Sequence, residues 1–194
     1  MKKQLFIFLM ALPAVLCNCR NNTTVPSGTK EDTIVKAFYP VGNFIRSQLI
    51  YLDSVPLAIL KYTTINHVTD TSIAEKKDFK AVAAAFMTPD ISSPEIVPQY
   101  EETSFIDATL GTITLTYAPR NEKAVIRKAD ILLKQENTAA KTIYIEKCFT
   151  GADSTVTQKM LWTANRNCQI ITLVQKEGQP EDIMLERYVW DDMH

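Results

Sequence analysis

The sequence predicts an α+β domain, with two N-terminal helices packed on a curved, unclosed antiparallel β-meander. Three observations carry this. Apolar residues recur at helical spacing only in the first half of the chain, in two stretches that end at Pro56 and Pro89. From Gln99 to Trp190 the pattern has period two. Helices therefore cluster at the front and strands follow one another, which is not the alternation that builds a parallel sheet. A twisted sheet of that length curls, and the two helices are available to fill its concave face.

The elements follow in order. Gly42 to Asp53 reads as a helix with Ile45, Leu49 and Leu52 on one face, and Pro56 closes it. Leu57 to Val68 is rich in β-branched residues and reads as a strand. Ser72 and Glu75 have the spacing of a capping box, ahead of the apolar stripe Phe79, Val82, Ala83 and Phe86. Thr88 to Pro98 carries three prolines and is a connector.

Thr112, Thr114 and Thr116 alternate with Ile113, Leu115 and Tyr117, as in a half-buried strand. Val125 to Lys134 is a further strand whose apolar residues fall on both faces. Thr142–Thr150 and Thr155–Thr163 form a hairpin around Gly151–Ser154. In that register Phe149 faces Val156, Ile145 faces Met160 and Ile143 faces Trp162, three apolar pairs on one face. Cys168–Gln175 and Ile183–Trp190 complete the meander, and the tail from Asp191 to His194 is expected to fray.

The N-terminus gives an address. Lys2 and Lys3 precede an apolar run from Leu5 to Leu16, which Pro13 interrupts. That run is too short for a bilayer span of about 20 residues and fits the hydrophobic region of an export signal. No A-x-A cleavage pattern follows; Cys17 and Cys19 do. The arrangement resembles a bacterial lipoprotein signal. Leu16-Cys17-Asn18-Cys19 places a leucine three residues ahead of Cys19, and Ala14-Val15-Leu16-Cys17 is the alternative register. The resemblance implies lipidation at Cys19 (alternatively Cys17) and attachment to the cell envelope, with the outer membrane as the expected site. Several acyl chains on one residue would hold the protein stably, at about 0.8 kcal/mol per buried methylene. Residues 1–18 are then the signal, 19–36 a polar tether, and 37–191 one domain.

Phe38-Tyr39-Pro40-Val41-Gly42-Asn43-Phe44-Ile45-Arg46-Ser47-Gln48-Leu49, taken with the signal and tether, also resembles uncharacterised lipoproteins of the Bacteroidota. This covers the first quarter of the chain and implies no active site. In layout, a curved antiparallel sheet on helices is similar to periplasmic lipoprotein-carrier folds, an analogy of architecture alone.

Little in the composition points to chemistry. Loss of Lys2 and Lys3 with the signal takes the net charge from −1 to −3, so there is no basic footprint for nucleic acid. No phosphate-cradling glycine pattern occurs, and no His or Cys pair has ligand spacing, so no cofactor or metal is implied. His67 and His194 are the only histidines. His67 with Asp70 is the one base–carboxylate pairing, and a strand end running into a polar turn is its plainer reading. Glu146 and Glu186 form the best carboxylate pair for a hydrolase, which needs the two about 5–10 Å apart in one cleft. Cys148 and Cys168 are expected to be free. With Thr157 facing Val174 they lie two strands apart and six residues along, beyond the roughly 7 Å that a disulfide tolerates between Cα atoms.

Tyr144, Trp162, Tyr188 and Trp190 lie on late strands. Exposed on the concave face they would stack on a sugar or line an apolar pocket; packed on Ile143, Trp162 would be core instead. The sequence thus predicts a membrane-anchored, non-enzymatic binding or interaction module with an apolar ligand or an envelope protein as partner. The alternative is an envelope hydrolase working through carboxylates.

Overall fold

A computed structural model describes residues 37–191. The signal, the tether, Cys17, Cys19 and His194 lie outside the described residues. Helix α1 (Val41–Ser54) is one residue longer at each end than its apolar pattern predicts, and it buries Val41, Ile45, Gln48 and Leu52. Leu49 packs at the margin of the core instead, because Gln48 takes the inward position and pairs with a sheet turn.

The next stretch differs from expectation. Leu57–Val68 is not one strand but the first half of a hairpin, β1 (Ile59–Ile65) and β2 (Val68–Ala74). Asn66 and His67 form its two-residue turn, both with positive φ (49° and 66°). This is the backbone that a tight antiparallel hairpin requires, and asparagine adopts it more readily than most residues. Ser72 therefore sits in β2 opposite Lys61 and caps nothing. Helix α2 (Lys76–Met87) starts after Glu75 and buries Phe79, Ala83 and Phe86 as its stripe predicts. The Lys76 ammonium donates to the Leu52 carbonyl at 3.0 Å and joins the two helices.

Seven more strands follow a short 3₁₀ turn at Val97–Gln99. They are β3 (Tyr100–Asp107), β4 (Thr112–Pro119), β5 (Ile126–Lys134), β6 (Ala140–Thr150), β7 (Ser154–Thr163), β8 (Asn167–Lys176) and β9 (Asp182–Val189). All nine strands form one antiparallel sheet in the order β2-β1-β9-β8-β7-β6-β5-β4-β3. The sheet does not close, and β2 and β3 are its edges. Both helices pack on one face. The core members run from Phe38 to Trp190, so this stretch carries its own hydrophobic core.

Two registers explain details of the pattern. The β6–β7 pairing joins Phe149 to Val156, Ile145 to Met160 and Ile143 to Trp162, as the apolar pairs predict. On β5, Ile126 and Ala129 are both buried although three residues apart. A bulge at Arg127 inserts the extra residue, which brings Ile126 and Ala129 to the same face despite their odd spacing.

The β7–β8 register departs by one residue. Thr157 faces Leu173 rather than Val174, because the turn holds three residues and Thr163 pairs with Asn167. Asn165, at φ 59°, makes the tight loop feasible. A one-residue slip exchanges the faces of a strand. Cys168 consequently faces Trp162 in the core, while Cys148 faces Thr157 on the other side of the sheet. Both thiols are free. The chain end also differs from expectation at Asp191, whose N–H donates to the Arg166 carbonyl at 3.2 Å.

Candidate functional site

The helix-covered face, which the sequence leaves open as either a ligand groove or a packed core, is filled. Phe79 of α2 packs against Trp162 (5.8 Å between ring centroids), Tyr188 (5.7 Å) and Trp190 (5.4 Å). Phe86 meets Trp162 edge-on at 5.2 Å. Trp162 is wholly buried, and Tyr188 and Trp190 retain only 3–4% of their exposure. Three of the four expected ligand-face aromatics are therefore core. The α2 stripe needed an apolar surface, and the strands' inward aromatics supply it. The indole N–H groups of Trp162 and Trp190 have no hydrogen-bond partner among the described residues, so these rings contribute packing alone. Tyr144, the fourth, is on the outer face, where its hydroxyl donates to Glu146 Oε2 at 2.9 Å. That carboxylate and burial together push the phenol up to about 12, burial being the larger cause.

The carboxylate pair is separated by the sheet. Glu146 lies in the row Lys159, Ile171 and Leu185, on the outer face. Glu186 lies in the row Ile170, Met160 and Ile145, on the helix-covered face. They do not share a cleft. Glu186 is engaged already: Lys61 Nζ lies 2.7 Å from its Oε1, and the Tyr188 hydroxyl donates to the same oxygen at 3.3 Å. The Lys61 ammonium also stands 5.5 Å from the Tyr188 ring centroid. The hydrogen bond to Glu186 raises the lysine pKa, which keeps it charged and poorly nucleophilic. Burial raises the Tyr188 phenol. This cluster ties β1 to β9 and offers neither a free base nor a nucleophile. His67 stands exposed in the β1–β2 turn, and Asp70 is exposed on β2 opposite Thr63. Thr112, Thr114 and Thr116 are on the outer face, where the Thr116 hydroxyl donates to Asp130 at 2.7 Å.

One residue of consequence was missed at the sequence level. Lys147 is 1% exposed on the helix-covered face. Its ammonium donates to the carbonyls of Ala85 and Thr88 at the end of α2. These are orphan acceptors of a helix terminus, and a cation there also complements the helix dipole. Burial lowers the lysine pKa to about 8. A signal existed: the pairing of Ile145 with Met160 and Phe149 with Val156 already placed Lys147 between two inward residues.

Among the described residues no group of three or more His, Cys, Asp or Glu could hold a metal ion, and no helix is long and apolar enough to cross a membrane. The fold defines an α+β protein with a helix-backed, open nine-stranded sheet. The chain matches no family model, no curated protein and no solved structure.

Proposed function

We propose that this chain is a lipid-anchored protein of the bacterial cell envelope, a non-enzymatic module that presents its sheet to another envelope protein.

 The observation that carries this reading is the filled helix-covered face: the aromatic residues best suited to hold a ligand are packed against Phe79 and Phe86. An internal groove therefore has no room, and the sheet's edges and outer face are what a partner can reach. The edges carry large exposed apolar residues, Val68 and Ile73 on β2 and Phe105 and Ile106 on β3. An open edge with apolar side chains is a ready template for another chain. The address is supported by Lys2, Lys3, the apolar run and Cys19, read by their resemblance to a lipoprotein signal.

Two experiments test the two halves. Mass spectrometry of the N-terminal peptide from the protein expressed in a Gram-negative host should find an acylated Cys19. Cys19→Ser should abolish the adduct and release the protein from membranes, whereas loss only in Cys17→Ser moves the site to Cys17. Absence of any acyl group in all three proteins rejects the anchor. For the interaction, a photocrosslinking residue at Ile73 or Phe105 should give a discrete adduct in intact cells; a bare monomer band at both positions rejects the edges as the contact surface.

A further inference from the structure

The β5–β6 junction, away from the edge strands, holds a notch. The β5 ladder ends at the Ile126–Lys147 pair, while β6 runs on to Thr150. The last link between them is the Cys148 N–H, which donates to the Val125 carbonyl at 2.9 Å. Beyond it the end of β6 borders open space of about 450 Å³, lined by Lys123, Val125, Arg127, Cys148, Phe149 and Thr150. That volume lies within the range of about 300–1,000 Å³ typical of small-molecule sites.

The lining has two kinds of chemistry. Lys123 and Arg127 supply two cations, and neither forms an ion pair with a carboxylate among the described residues. Arg127 is the bulged residue of β5, and bulges re-aim a side chain relative to the ladder. Phe149 and Val125 supply its apolar lining, 42% and 36% exposed; the notch lies past the last β5–β6 rung, so side chains from both faces of β6, Phe149 on one and Cys148 on the other, border it. The alternation of an antiparallel ladder also turns the Thr150 N–H to the same side as that of Cys148, which adds a neutral donor. Cations, a donor and apolar side chains lining one notch suit a ligand that joins an anionic group to an apolar body.

We infer that this notch binds an anionic amphiphile, with the head group held by Lys123 and Arg127 and the body laid on Phe149 and Val125. The notch shares no residue with the edge strands β2 and β3, so it stands or falls independently of the proposed function.

Cys148 is a built-in reporter. It is half-buried in the notch wall, whereas Cys168 is wholly buried in the core and its thiol pKa is raised by that burial. The protein used is residues 36–194, which contains the whole core and leaves Cys148 and Cys168 as its thiols. The measurement is the rate of Cys148 alkylation by iodoacetamide, read by mass spectrometry, against added decanoate below its micelle-forming concentration. Decanoate should slow the alkylation saturably. Decanol, which lacks the charge, and inorganic phosphate, which lacks the apolar body, should each protect at least about tenfold more weakly, a difference of about 1.4 kcal/mol. The double variant Lys123→Gln/Arg127→Gln should lose the protection while Cys168 stays unreactive, which reports an intact core. Phe149→Ser, at an exposed position, should also lose it and serves if the double variant does not fold. Three results overturn the inference: no protection by decanoate, equal protection by decanol, or equal protection by phosphate.

Discussion

The Lys147 ammonium lies 2.5 Å from the carbonyl oxygen of Thr88, just past the end of α2. With the parallel bond to Ala85, it fastens the helix terminus to the centre of the sheet. The same position costs stability in another way, because a charge is held out of water.

This conflict has a pH signature. The folded-state pKa of Lys147 is about 8, below the value of about 10.4 for an unfolded lysine. Between these values the unfolded chain binds more protons, so the unfolding free energy rises with pH. Below about pH 8 the folded protein carries the full penalty of the buried charge. As pH rises from about 8 to about 10.4 the penalty is lifted, and the neutral amine still donates to the carbonyls. Lys147→Met removes both effects. Urea denaturation at pH 7 and pH 10 should show the wild type gaining about 1–3 kcal/mol relative to the variant. A difference that stays constant with pH rejects the assignment.

Phe79 is the point at which α2 meets Trp162, Tyr188 and Trp190. Truncating a buried phenylalanine to alanine removes its transfer free energy and leaves a cavity. Phe79→Ala should cost about 3–5 kcal/mol, measured by chemical denaturation. The tryptophan emission of the folded variant should shift to the red as water reaches the aromatic cluster. Unchanged emission and a loss below about 1 kcal/mol contradict the packing.

Gln48 and Asn165 exchange two hydrogen bonds. Gln48 Nε2 donates to Asn165 Oδ1 at 3.0 Å, and the Asn165 N–H donates to Gln48 Oε1 at 2.7 Å. The pair locks α1 onto the β7–β8 turn. Gln48→Ala leaves a backbone N–H without its partner, so a loss of about 1–3 kcal/mol follows. In hydrogen exchange the amide of Asn165 should lose protection first, and retained protection there argues against the clamp.

His67 occupies a left-handed position, φ 66°, at the tip of the β1–β2 hairpin. Side chains other than glycine, asparagine and aspartate are disfavoured there. His67→Gly should therefore stabilise the protein by about 0.5–1 kcal/mol, seen as a higher melting temperature. Destabilisation by this change would mean that the imidazole makes a contact that outweighs the backbone strain.

The fold class, the two helices and most of the sheet are legible in the chain because they follow from local periodicity. Phe79, Ala83 and Phe86 recur at helical spacing, and the β6–β7 pairs fall on one face whichever neighbours surround them. The β1–β2 hairpin was not legible, since Asn66-His67 lacks the glycine that marks such turns and Ser72 with Glu75 imitates a helix cap. Strand β3 has no distinct signature of its own because most of its residues are exposed at an edge of the sheet.

What each face does depends on packing between elements distant in the chain. A single residue in the β7–β8 turn sets whether Cys168 points to water or to Trp162, and no local pattern carries that choice. The separation of Glu146 from Glu186 likewise depends on parity summed across four strands. The burial of Trp162, Tyr188 and Trp190 depends on where α2 lands. Periodicity fixes which residues share a face within one element, whereas long-range packing fixes which faces meet, and the candidate site lies in the second.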